Sequence, residues 1–123
     1  MQPLSVVIAS TDSNIASRLA DSLNHYFRSV SFAGSVDEVR HAIPKHRAQF
    51  AIVDLEAVSM QDVQQLCRDF GTTQVVCTHR IPDEEMWMEA LAAGAIDCCH
   101  NADVSGIMNA VQRSNRLARS NAA

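Results

Sequence analysis

The chain has 123 residues, 47% of them hydrophobic, which is enough for one domain with a core that folds unaided. Ten Lys+Arg against 14 Asp+Glu give a formal charge of -4, and no uniform basic stretch is present to neutralise phosphates, so direct nucleic-acid binding is not expected. No apolar run approaches the roughly 20 residues that span a bilayer, and the opening Met-Gln-Pro-Leu-Ser has no basic region ahead of an apolar one, so no membrane span and a cytoplasmic location are expected.

In chain order, residues 4–9 are apolar and β-branched enough for a strand buried on both faces, and Ser10, Thr11 and Asp12 end it with turn chemistry. A first helix follows, with Ile15, Leu19 and Leu23 on one face beside Ala16 and Ala20. Residues 29–33 form the second strand. Ser35-Val-Asp-Glu38 is a capping box that opens helix two, and Pro44 is expected to close it. The third strand, Phe50-Ala-Ile-Val-Asp54, is wholly apolar until its last residue.

Helix three runs from about Gln61 through Val63, Leu66 and Phe70 to a stop at Gly71, and Gln74-Val-Val-Cys-Thr78 is strand four. Pro82 in the first turn, with Asp83, Glu84 and Glu85, predicts helix four, which ends at Gly94. Residues 96–100 make a short strand five. Asp103 caps a last helix in which Val104, Ile107, Met108 and Val111 repeat at helical spacing. Cys67, Cys77, Cys98 and Cys99 follow no metal or redox spacing and are expected as small core residues in a reducing cytosol, with Cys98 and Cys99 on opposite faces of their strand.

Strands alternating with helices imply an α/β fold, a (βα)5 flavodoxin-like, doubly wound parallel sheet. Ligands of such sheets gather beyond the carboxyl ends of the strands. Those ends carry Asp12, Asp54, Thr78, His79, Arg80, His100 and Asn101. Asp54 follows four apolar residues, so its carboxylate needs a hydrogen-bond donor or a cation. It is either a nucleophile, with Thr78 donating to an oxyanion beside it, or a cap on the loop amides that follow it.

Over residues 4–118 this arrangement resembles the receiver domain of bacterial two-component response regulators. Ala51-Ile-Val-Asp54-Leu55 is similar to the motif around the phospho-accepting aspartate, Val75-Val-Cys-Thr78 to the segment ending in the switch hydroxyl, and Ala90-Leu-Ala-Ala-Gly-Ala95-Ile-Asp97 to the run from helix four into strand five. The resemblance implies strand order 2-1-3-4-5, phosphorylation of Asp54 by a histidine kinase, and a signal passed through the helix-four, strand-five, helix-five face.

The departures from that pattern cluster on the chemistry. Ser10 and Thr11 stand where the family places its acidic pair for Mg²⁺, leaving Asp12 one position on, so Asp12, Asp54 and Glu56 are at best a weak Mg²⁺ set. The family's lysine falls on Asn101, its proline on Ala102, its small residue after the switch hydroxyl on His79, and its strand-five aromatic on Cys98. The only lysine, Lys45, is expected at the far end of the sheet, and Arg80 is the remaining candidate cation near Asp54.

The leading expectation is thus a receiver-like protein-interaction switch with a degenerate site. It contacts a histidine kinase or another signalling protein, or a second copy as a homodimer, through a face that includes Trp87, Cys98 and Arg113. The alternative is a working phospho-acceptor at Asp54 with weak Mg²⁺ dependence. A flavodoxin-like enzyme or nucleotide binder is disfavoured because no glycine-rich loop follows strand one. A transition-metal site on Asp12, Asp54, Glu56, His79 and His100 lacks helical ligand spacing. Arg113, Arg116 and Arg119 share one face of the last helix, and residues 113–123 are a candidate linker to an output domain.

Overall fold

The apolar stretches take the strand positions β1 (Ser5–Ala9), β2 (Ser29–Ala33), β3 (Phe50–Asp54), β4 (Gln74–His79) and β5 (Asp97–His100). They alternate with α1 (Ser13–Leu23), α2 (Val36–His46), α3 (Met60–Asp69), α4 (Glu84–Ala93) and α5 (Val104–Asn121). The computed structural model describes residues 4–121, with no description of the side chains of residues 115–121, so those of Arg116 and Arg119 and all of residues 122–123 lie outside it. Every strand pair is parallel and the order is β2-β1-β3-β4-β5, as the alternation and the resemblance imply.

Each face of the sheet has its own core. Val39, Ile43, Val63, Leu66 and Ala90 bring α2, α3 and α4 onto one face, while Leu19, Leu23, Ile107 and Val111 bring α1 and α5 onto the other. β3 lies at the centre with all five residues buried, and burying each Ile or Val of this kind contributes about 1.5–3 kcal/mol. Cys98 belongs to the first core and Cys99 to the second, so the adjacent pair does point to opposite faces, and all four cysteines are free thiols.

Two prolines act differently from expectation. Pro44 does not close α2 but lies inside its last turn, where a missing N–H and a crowded carbonyl are tolerated because little helix remains. The stop is Arg47, at φ 51°, whose N–H reaches the Ile43 and Pro44 carbonyls while the Ala48 N–H bonds the Ile43 carbonyl at 3.0 Å. Pro82 precedes the helix instead of sitting in its first turn, and the cap is Asp83, whose side chain accepts from the Met86 N–H at 2.8 Å.

The other helix ends are closer to expectation. Helix α3 begins one residue early at Met60, capped by Ser59, and ends at Asp69 with Phe70 as its C-cap, before Gly71. Gly94 closes α4 at φ 110°, and a Cβ there would lie 2.8 Å from Cys67 Cβ, so both the backbone and the space require glycine. Helix α5 is continuous through 113–121, so the candidate linker is helical over that stretch.

Candidate functional site

The carboxyl edge of the sheet is set by strand register. Asp54 ends β3 and is the direct partner of Thr78, the last residue but one of β4, which runs one residue further than expected, to His79; the two are 3% and 4% exposed. Leu55 N–H bonds the Thr78 carbonyl at 2.9 Å and prolongs the pairing by one residue. Asp54 Oδ1 accepts the Glu56 N–H at 2.9 Å, and its carbonyl accepts from Ala57 and Val58. The capping reading of Asp54 is thus what the bonds show, and the carboxylate that caps the loop is buried, with the buried Thr78 as its strand partner.

The surrounding groups are drawn elsewhere. Asp12 is the N-cap of α1, its Oδ1 accepting from Asn14 N–H at 2.9 Å and Ile15 N–H at 3.2 Å. Glu56 pairs with Arg80, whose Nη2 and Nε lie 2.7 and 2.8 Å from Glu56 Oε1. That pairing commits the one cation expected near Asp54 to a different carboxylate. His79 Nδ1 accepts the Ile81 N–H and His100 Nδ1 the Ala102 N–H, both at 3.0 Å. Lys45 falls in the last turn of α2, before the loop whose Gln49 N–H bonds Ser5 at the start of β1, so it belongs to the opposite end of the sheet.

Among the described residues no group of three or more His, Cys, Asp or Glu side chains is placed to hold a metal ion. Asp12, Asp54 and Glu56 do not form such a group. The wider set with His79 and His100 is not assembled either. The cause is local: a carboxylate beside free helix amides caps them, and one beside a guanidinium pairs with it.

Asn101 directly follows β5. Its N–H bonds the His79 carbonyl at 3.0 Å, and the residue is only 5% exposed. Its side-chain Nδ2 is the single buried side-chain polar atom without a partner among the described residues. Nearby, Leu55, Met60, His79, Asp83 and Met86 line a cleft of about 340 Å³ between the loop after β3 and α4.

The α4–β5–α5 face is organised by a residue that sequence reasoning missed. Asp97 Oδ1 accepts the Trp87 indole N–H at 3.0 Å and the Cys98 backbone N–H at 2.8 Å, and Oδ2 lies 3.5 Å from Arg113 Nη2. One carboxylate thus joins α4, β5 and α5. The signal was an acid opening a strand whose next two residues are buried cysteines. Trp87 is 43% and Met88 59% exposed, whereas Cys98 is buried beneath this face. Burial raises the thiols of Cys67, Cys77 and Cys98, and that of Cys99 is pushed up to about 12, so they remain protonated core groups.

No protein-family model and no curated protein matches the chain. Solved structures do. The signal receiver domain of a LuxO-type repressor protein from Vibrio parahaemolyticus aligns with a TM-score of 0.84 at 12% identity, over 98% of this chain and 95% of that one. The receiver domain of a DNA-binding response regulator from Colwellia psychrerythraea aligns at 0.80 and 13%, over 92% and 98%. That of the response regulator NarL from Mycobacterium tuberculosis aligns at 0.79 and 17%, over 94% and 98%. With its strand order and helix placement, the chain has the receiver-domain fold of response regulators.

Proposed function

We propose that this chain is a single receiver-like domain of a two-component signalling system that works as a protein-interaction switch, not as an enzyme, with a degenerate phosphorylation site around Asp54. The observation that carries this reading is the split at the carboxyl edge. Asp54 and Thr78 are held buried and in register, while Asp12 caps α1 and Glu56 is bound to Arg80. The donor set does not fit Mg²⁺, which keeps its waters and is held by carboxylates facing one point. Without that charge neutralisation, phosphoryl transfer to Asp54 is slow.

The partner is a histidine kinase or another cytoplasmic signalling protein, and the surface it meets is α4–β5–α5. Trp87 and Arg113 face outward there around Asp97, and a half-exposed tryptophan is a common interface anchor. Cys98 supports that surface from below. The signalling role is favoured by the shared fold with signal receiver domains from three organisms. No helix among the described residues is long and apolar enough to cross a membrane.

Intact-mass measurement after incubation with acetyl phosphate, with and without Mg²⁺, tests the reading. An unchanged mass in a folded domain is expected. A gain of one phosphoryl group that Asp54→Asn abolishes would instead establish Asp54 as a working acceptor.

A further inference from the structure

The two edges of the sheet are finished differently. At the β5 edge, the Cys98 N–H is already taken by Asp97 Oδ1, and the same carboxylate is held by Trp87 and Arg113. That edge is charged and closed to a further strand. At the β2 edge, the sequence Ser-Val-Ser-Phe-Ala has no charge and no proline, and β2 pairs only with β1. Ser29 N–H bonds the Leu4 carbonyl and Ser10 N–H the Ala33 carbonyl, so Ser29, Ser31 and Ala33 turn their backbone groups inward to β1. By alternation Val30 and Phe32 direct an N–H and a C=O each outward. Phe32 is also 58% exposed.

We propose that β2 is a self-association edge, at which two copies of this chain pair antiparallel about a two-fold axis at Ser31, joining their sheets into one. The register is fixed by which groups point outward. Val30 of one copy then faces Phe32 of the other, each pair exchanges two backbone hydrogen bonds, and each Phe32 ring covers the partner's Val30 on the same face. The surface is isologous, as a two-fold contact demands.

Charge supports the same register. Arg28, exposed and outside the ion pairs found among the described residues, stands opposite Gly34 of the second copy. The Gly34 N–H is held by Glu38 Oε2 at 3.0 Å, so each Arg28 approaches a carboxylate across the axis.

Sedimentation equilibrium on the full chain from micromolar to millimolar concentration tests the pairing. The expected mass rises with concentration from 13.5 kDa towards twice that value. Phe32→Lys, which places a charge at the edge on an already exposed side chain, should hold the mass at the monomer value with an unchanged circular dichroism spectrum. Arg113→Glu, at the other edge, should leave the doubling in place.

Ser31→Cys provides a second readout, since residues facing each other across a non-hydrogen-bonded antiparallel pair lie about 4.5 Å apart at Cα, within disulfide range. Mild oxidation should cross-link that variant to a dimer and leave Ser29→Cys monomeric. A chain that stays monomeric throughout would overturn the proposal. So would a dimer that survives Phe32→Lys and is lost with Arg113→Glu.

Discussion

The middle of the carboxyl edge and its flanks are built by different forces. Asp54 ends β3 and Thr78 is the last residue but one of β4, and the ladder that pairs Ile52 with Val76 and Val53 with Cys77 carries them into register. Asp12 and Glu56 lie just beyond strand ends, where the nearest unpaired amide or guanidinium decides where a side chain goes. The contrast separates two kinds of precision. A strand end inherits its position from the whole sheet, while a loop residue takes it from its immediate neighbours.

The largest test of this contrast strikes the ladder. Ile52→Asp places an unpaired charge in a position 1% exposed and should cost more than about 4 kcal/mol, unfolding the domain and removing its circular dichroism signal. A folded variant would mean that β3 does not organise the centre. Next comes Asn101→Met, which replaces a buried amide whose Nδ2 has no partner by an apolar group of similar size. It should raise the urea midpoint by the equivalent of about 1.5 kcal/mol. A loss of stability would show that the amide is held after all, and the flank would then resemble the centre.

Asp12→Ala removes the cap of α1 and should cost about 1 kcal/mol, read from the same denaturation curves. Arg80→Ala should change stability by less than about 0.5 kcal/mol, because the Arg80 side chain is 69% exposed and its pair with Glu56 is screened by solvent. A larger effect would place the Glu56–Arg80 pair within the cooperative centre.

The centre was also the part legible in the sequence. An apolar run of four before Asp54, and one of three before Thr78, locate the two strands, with β4 running one residue further to His79, because a buried parallel strand has no freedom to be anything but apolar. The parallel sheet with a core on each face followed from the same runs, while the strand order came from the resemblance to receiver domains. What escaped depended on contacts distant in sequence. Nothing near Asp97 announces that an indole ten residues before it and a guanidinium sixteen residues after it converge there. The seizure of Glu56 by Arg80 is of the same kind. Pro44 escaped for a local reason, since a proline in a final turn costs less than one in the body of a helix.

The bond between Trp87 and Asp97 gives the α4–β5 seam an optical signature. Trp87 is the only tryptophan in the chain, so all indole emission arises from a ring whose N–H is bound to one carboxylate. A partner that lifts α4 or draws Asp97 towards Arg113 would release that N–H and change the emission maximum. The unlabelled chain therefore reports engagement of this seam by its own fluorescence.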